Sequence, residues 1–140
     1  MTLELHATPQ EVMRAVEALQ QFGHEKHVPE KALFGLMLGL EECGSNIVNH
    51  ALQRDPQKTF EVRVEHAESA IFIELRDRGP EFDPTRVPEP TADAEDDERP
   101  PGGWGVQLVR RYMDDISYRR EDGQNILRLT SRITPERGQK

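Results

Sequence analysis

Apolar and polar residues alternate in five stretches of the chain, and a period of two is the signature of a half-buried β-strand. The stretches with this pattern are residues 2–7, 60–66, 70–76, 116–120 and 125–133. The sequence "AES" separates the second stretch from the third, and "EDGQ" separates the fourth from the fifth. Short connections of this kind predict two β-hairpins, and therefore a mixed, mostly antiparallel sheet.

Three other stretches place apolar residues at helical spacing. Thr8 and Pro9 supply an N-cap and a first-turn proline for a helix that runs to about residue 24. A longer helix is expected over about 29–52, and a third follows the sequence "PGGWG". The resulting order, β-α-α-β-β-α-β-β, predicts an α+β fold, a two-layer sandwich with three helices against one face of the sheet.

The segment over about 79–103 interrupts this pattern. Six prolines and the acidic run "DAEDDE" lie between residues 79 and 101, with almost nothing to bury. Roughly twenty residues without secondary structure inside a compact domain are typical of a functional lid or a linker, and we expect a mobile lid. The 140 residues fit a single domain, 1–140, with a frayed tail at 135–140.

Composition and charge exclude several classes of protein. A net charge of -8 argues against nonspecific binding to nucleic acid, which needs clustered lysine and arginine. No apolar run approaches the roughly 18 residues of a membrane span, and the N-terminus lacks a basic-then-apolar export signal. Cys43 is the only cysteine, which excludes an internal disulfide and favours an inert core thiol. We expect a cytoplasmic protein whose partners are proteins or a small ligand.

One face of the second helix is polar in an unusual way. With about 100° per residue, the residues on that face are Gly35, Gly39, Glu42, Asn46, Asn49 and His50. A solvated surface is the simpler interpretation, but asparagine and glycine are poor helix formers for such a surface. An asparagine oxygen suits a hard cation such as Mg²⁺, and Glu42, one turn earlier, could accept a proton from a hydroxyl group.

Two further sequences have both a structural and a functional interpretation. Asp77 and Gly79 could simply end a strand in a turn, or they could bind an exocyclic amine and let a flat ring approach the backbone. The glycines of "GGWG" could form a loop, or a phosphate site built from backbone N–H groups and the dipole of the following helix. Each signal is weak alone, but their order along the chain is specific.

That order resembles the GHKL (Bergerat-fold) ATP-binding superfamily, and the small size is similar to its anti-sigma-factor serine kinases. The resemblance covers about residues 3–133 and rests on "EECGSNIVNHA", "DRGPEFDP" and "GGWGVQLV". It implies ATP and Mg²⁺ as cofactors, with Mg²⁺ at Asn46, the adenine amine at Asp77 and Glu42 as general base. The residues that it assigns to the cofactor site are Asn46, Asn49, His50, Asp77, Gly79, Phe82, Gly102, Gly103, Gly105 and Val106.

The function that this resemblance implies is an ATP-dependent protein serine/threonine kinase. Its substrate would be a STAS-domain anti-sigma factor antagonist, and its other partner a sigma factor, with a homodimer as the assembly. One alternative is a nucleotide-gated binding module without kinase activity, which Glu81 and the acidic lid favour because both place negative charge near phosphates. Arg86, Arg99 and Arg110 are the cations that could offset this charge. A second alternative is a histidine-kinase catalytic domain acting in trans.

Overall fold

A computed structural model describes residues 1–86 and 108–133 of the protein. Five strands form one sheet in the order β1-β2-β3-β5-β4, and every neighbouring pair is antiparallel. The strands are β1 (Thr2–His6), β2 (Thr59–His66), β3 (Ala70–Asp77), β4 (Asp115–Glu121) and β5 (Gln124–Arg132). The predicted α+β sandwich is confirmed.

Two long helices precede the second strand. Helix α1 (Pro9–Glu25) begins at Thr8, whose hydroxyl oxygen accepts a hydrogen bond from the Glu11 N–H at 3.2 Å, as the sequence predicts. Helix α2 (Glu30–Asn46) continues directly into a π-helical turn, Ile47–Ala51. Residues 108–110 are also helical, at the position predicted for the third helix.

The core lies between the helices and one face of the sheet. Its largest fully buried side chains include Leu19, Leu36 and Leu40 from the helices and Ile73, Leu75 and Leu129 from the strands. Because β3 and β5 are central, the end of β3 is enclosed on both sides, and Asp77 lies opposite Asn125 of β5. A buried strand end is a suitable place to hold a polar side chain in one orientation.

Gly35 and Gly39 do not continue a polar helix face, and this prediction was wrong. A Cβ atom on Gly35 would lie 2.8 Å from the Tyr112 Cβ, and one on Gly39 would lie 2.8 Å from the Leu129 Cδ1. Both glycines are buried, and they let α2 approach residues 109–113 and β5 closely. Periodicity alone cannot show which side of a helix a third helix will cover.

Part of the predicted lid falls within the described ranges. Residues 79–82 form a turn and loop after β3, followed by a short 3₁₀ turn, Pro84–Arg86. The rest of the predicted lid, the glycine-rich sequence with Gly102, Gly103, Gly105 and Val106, and the predicted frayed tail lie outside the described residues. Over the ranges 1–86 and 108–133, no helix is long and apolar enough to cross a membrane.

Candidate functional site

A narrow cleft opens where the end of α2 and the π-helical turn meet the ends of β3 and β5. Its empty space amounts to about 390 Å³, a volume that includes open solvent. The residues that line it are Cys43, Asn46, Ile47, Ala51, Asp77, Phe82, Pro84, Tyr118, Asn125 and Leu127. Most of its wall is apolar and its polar groups are few, which is typical of a site for a small molecule with a flat apolar part.

The carboxylate of Asp77 forms the polar base of the cleft. The side chain is 5% exposed, and its Oδ1 accepts hydrogen bonds from the Gly79 N–H at 2.9 Å and from the Asn125 Nδ2 at 3.0 Å. No residue in the described ranges donates a hydrogen bond to Oδ2. A buried carboxylate oxygen without a donor favours a ligand that brings one, such as an exocyclic amine.

A hydrogen-bond network around Asn125, which was not predicted from the sequence, supports this base. Asn125 is 5% exposed, and its Nδ2 donates to Asp77 and also to the Pro80 carbonyl at 2.9 Å. Its Oδ1 accepts from the Phe82 N–H at 3.2 Å, the Tyr118 hydroxyl at 2.5 Å and the Arg120 Nη1 at 3.1 Å. The available sequence signal was an asparagine in a strand, a type of residue that strands normally exclude.

Asn46 lines the same cleft from the helix side. Its side chain is half-buried, and its amide makes no hydrogen bond to a residue in the described ranges. Those ranges also contain no group of three or more histidine, cysteine, aspartate or glutamate side chains placed to share a metal ion. A single amide oxygen fits Mg²⁺ only where phosphates and water supply the remaining ligands, which is how Mg²⁺ usually binds beside nucleotides.

Glu42 lies on α2 one turn before Asn46 and does not line the cleft. Its carboxylate is half-buried and forms no ion pair or hydrogen bond with the residues described. Burial, followed by the neighbouring charge of Glu41, raises the pKa of Glu42 above its usual range. A carboxylate beside a cleft, without an internal partner and with a raised pKa, is suited to proton transfer.

The π-helical turn explains why two predicted site residues lie elsewhere. Asn49 and His50 are exposed and are absent from the cleft wall, whereas Ala51 lines it. A π-helix follows an i to i+5 pattern, so spacing based on an α-helix fails after Asn46. The Asn49 oxygen accepts a hydrogen bond from the Arg54 Nε at 2.7 Å. Roles for Asn49 and His50 in binding a cofactor stay predictions.

Cys43 is buried in the wall of the cleft. Burial, with a smaller contribution from the charge of Glu42, raises the pKa of its thiol to about 12. A thiol with so high a pKa is not a nucleophile at neutral pH. The expected inert core cysteine agrees with this environment.

Gly79 is needed for packing at the base of the cleft. A Cβ atom there would lie 2.7 Å from the Ala51 backbone oxygen and 2.9 Å from the Ala51 Cβ. The turn after β3 therefore packs directly against the π-helical turn, whose Ala51 lines the cleft. This contact is a structural reason for a glycine at position 79. It stands in addition to the predicted role of Gly79, which is to let a flat ring approach the backbone.

Gly79→Ala is expected to lower the free energy of unfolding by about 1–3 kcal/mol, because the nearest obstacle is backbone. Gly39→Ala is the matched control, since its added methyl meets side chains and no backbone, with Leu129 Cδ1 at 2.8 Å and Val109 Cγ1 at 3.4 Å. Alanine also gains up to about 1 kcal/mol over glycine within a helix, so the control should lose less stability. Denaturant unfolding of both variants measures the difference, and equal losses would contradict the packing argument.

The charged residues near the cleft are mostly engaged elsewhere. Glu81 is exposed and does not line the cleft. The pKa of Tyr118 is raised first by the burial of Tyr118 itself and second by the negative charge of Glu81. Arg86 is ion-paired with Asp83 at 3.2 Å, and Arg110 donates a hydrogen bond to the Thr85 carbonyl. Neither arginine lines the cleft. Arg99 and the acidic run lie outside the described residues.

Comparisons with known proteins find a matching family model and similar chains. A family model described as a histidine kinase-like ATPase domain matches residues 5–131. The serine/threonine-protein kinase BtrW of Bordetella bronchiseptica is 31% identical over 135 residues, which cover 96% of this chain and 95% of that protein. A chain in the crystal structure of the SiaB–SiaC complex from Pseudomonas aeruginosa matches with a TM-score of 0.62 and 12% identity, over 95% of this chain and 89% of that chain. At such low identity the structural match shows the fold alone.

Proposed function

Because the chain belongs to the histidine kinase-like ATPase domain family, we propose that it is an ATP-dependent protein serine/threonine kinase. The family match confirms the resemblance to GHKL proteins that the three sequence motifs indicated. The observation that carries the proposal is the 31% identity to a serine/threonine-protein kinase over nearly the whole length of both chains. The proposed acceptor is a hydroxyl group of a STAS-domain anti-sigma factor antagonist.

The cleft supports adenine binding at its buried end. The free Oδ2 of Asp77 would accept the exocyclic amine, and the apolar side chains of Ile47 and Leu127 would pack against the ring. The rest of the nucleotide would extend toward Asn46. The glycine-rich sequence that precedes the third helix is proposed to bind the phosphates through backbone N–H groups.

Asn46 is the residue proposed to hold Mg²⁺, with phosphate oxygens and water as the other ligands. When bound, the ion would neutralise charge on the phosphates. The protein itself then has two tasks, which are to position the nucleotide and to accept a proton from the attacking hydroxyl. Phosphoryl transfer needs little other covalent chemistry from a protein.

Glu42 is the proposed general base. Its carboxylate is half-buried on the helix that carries Asn46, one turn away, and no described residue competes for it. The raised pKa of Glu42 makes it a better proton acceptor than an exposed glutamate. A serine or threonine hydroxyl presented to this turn of α2 would be deprotonated as it attacks the γ-phosphate.

The proposal extends to partner switching. We propose that the protein, as a homodimer, holds a sigma factor while the antagonist is phosphorylated. The sequence resemblance to anti-sigma-factor kinases supports this part. Co-purification of a sigma factor with the protein, in the presence of ATP, tests it independently of the kinase activity.

Incubation with γ-labelled ATP, Mg²⁺ and purified STAS-domain proteins from the same genome tests the kinase proposal. The expected result is an acid-stable label on a serine or threonine of one STAS protein. An acid-labile label would instead indicate phosphohistidine and favour a histidine-kinase catalytic domain. ATP-dependent capture of the STAS protein without any label would favour the binding module and contradict kinase activity.

A further inference from the structure

The loop that follows the cleft carboxylate is held by side chains of the β4–β5 hairpin. Three of its backbone groups, the Gly79 carbonyl, the Pro80 carbonyl and the Phe82 N–H, are hydrogen-bonded to side chains of that hairpin. The Arg120 side chain donates to the Gly79 carbonyl at 2.9 Å. The Asn125 side chain donates to the Pro80 carbonyl and accepts from the Phe82 N–H. Phe82 also lines the cleft, so the position of this loop sets part of the cleft wall.

We infer that Asn125 is a positioning residue, whose single buried amide holds both the Asp77 carboxylate and the 79–82 loop in the geometry that selects adenine. The inference rests on the proposed nucleotide function. Its physical basis is that one side chain joins the group that would recognise the base to the loop that forms the cleft wall. Asn125 would act through these groups, without transferring a proton itself.

The orientation of the Asn125 amide is fixed by its partners. Both N–H donors of the amide are used, one on Asp77 and one on Pro80. The carbonyl oxygen faces three donors, from Phe82, Tyr118 and Arg120. Turning the amide over would place its N–H groups against these donors and its oxygen against the Asp77 carboxylate.

This fixed orientation determines which oxygen of Asp77 remains for a ligand. The Asn125 Nδ2 and the Gly79 N–H both bind Oδ1, at 3.0 and 2.9 Å. The carboxylate cannot rotate freely without breaking both bonds, so Oδ2 is left as the oxygen without a donor among the described residues. Without Asn125, one of these two bonds is lost and the Asp77 carboxylate can reorient, which weakens its preference for an amine donor.

The test compares two ligands, ADP and purine riboside diphosphate, in which hydrogen replaces the exocyclic amine. The intact protein is expected to prefer ADP by about 10- to 100-fold, the contribution of a hydrogen bond to a buried charged group. Asn125→Leu is expected to reduce that preference to below about threefold. If Asn125 had a merely structural role, the substitution would weaken the binding of both ligands equally. The ratio of their dissociation constants would then stay unchanged, and this result would overturn the inference.

Tyr118→Phe serves as a second variant, because it removes one donor to the Asn125 oxygen and keeps the size of the side chain. It should fold even if Asn125→Leu does not, and a partial loss of the ADP preference is expected. An unchanged ratio in Tyr118→Phe, when Asn125→Leu cannot be purified, would overturn the inference. Ser131→Ala is the matched control, since Ser131 is also a buried polar residue of β5 but does not line the cleft.

The same titrations separate this inference from the proposed function. Failure of the intact protein to bind either nucleotide would contradict the proposed function itself. Binding of ADP with a clear preference that survives in the variants would contradict only the role of Asn125.

Discussion

Asp77→Asn is expected to weaken ADP binding by about 100-fold. In one orientation, the new amide places its N–H groups toward the ligand, where an amine donor is expected. In the other orientation, those N–H groups meet the Gly79 N–H and the Asn125 Nδ2, which lie 2.9 and 3.0 Å from Oδ1 in the intact protein. Either choice leaves buried donors without acceptors, so a nearly isosteric change should remove most of the binding. Calorimetric titration with ADP measures the effect.

Asp55→Asn is the matched control for this substitution. The Asp55 Oδ1 accepts a hydrogen bond from the Gln57 N–H at 3.0 Å, the same two-residue geometry that joins Asp77 to Gly79. Asp55 lies outside the cleft. The control should bind ADP as the intact protein does. An Asp77→Asn variant that is folded and binds ADP within about threefold of the intact protein would contradict the assignment, because the loss of one charged hydrogen bond exceeds that.

Glu42→Gln is expected to lower kcat for phosphoryl transfer by about 10²- to 10⁴-fold while leaving ADP affinity nearly unchanged. Glutamine keeps the shape of the side chain but cannot accept a proton from a hydroxyl group. Because Glu42 does not line the cleft, the nucleotide site should remain intact. Single-turnover transfer from labelled ATP and calorimetry with ADP measure the two properties separately. A variant that transfers at the normal rate would contradict the proposed base.

The pH dependence of transfer adds a second test of Glu42. The base must be ionised, and burial raises the pKa of Glu42, so kcat should fall as pH decreases through a value above that of an exposed glutamate. Glu41→Gln is the variant that tests this assignment, because Glu41 is exposed at the adjacent helix position and its charge contributes to the raised pKa of Glu42. Removing the Glu41 charge should lower the pKa of Glu42 and move the acidic limb of the profile to lower pH. An acidic limb that stays in place would contradict Glu42 as its source.

The strands and helices were predictable because their signals are local. Alternation in residues 60–66 and 70–76, the Thr8 cap and the "EDGQ" turn each specify a short piece of backbone. Asp122 and Gly123 of that turn have φ angles of 54° and 75°, as a tight hairpin requires. The antiparallel pairing followed from the two hairpins.

The candidate site was predictable only where a motif marks it. Asn46, Asp77 and Phe82, which the resemblance assigns to the cofactor site, line the cleft, and their roles in binding stay predictions. Tyr118 and Asn125 were missed because they reach the cleft through pairing of β5 with β3 and β4, which brings together residues far apart in the chain. The π-helical turn was missed because it replaces the α-helical spacing on which the prediction rested. Gly35 and Gly39 were assigned to the polar face of the helix, but both are buried in tertiary contacts, which periodicity alone does not reveal.

The most direct test of the whole account is thermal unfolding of the protein with increasing ADP, with and without Mg²⁺. Ligand at about 100 times its Kd stabilises a folded protein by roughly 2.7 kcal/mol, which corresponds to an increase in Tm of about 5–10 °C for a domain of this size. We expect a shift of that order that rises with ADP concentration, is larger with Mg²⁺ and is much smaller in Asp77→Asn at the same ADP concentration. An unchanged Tm at millimolar ADP, or an equal shift in Asp77→Asn, would contradict a nucleotide site in this cleft.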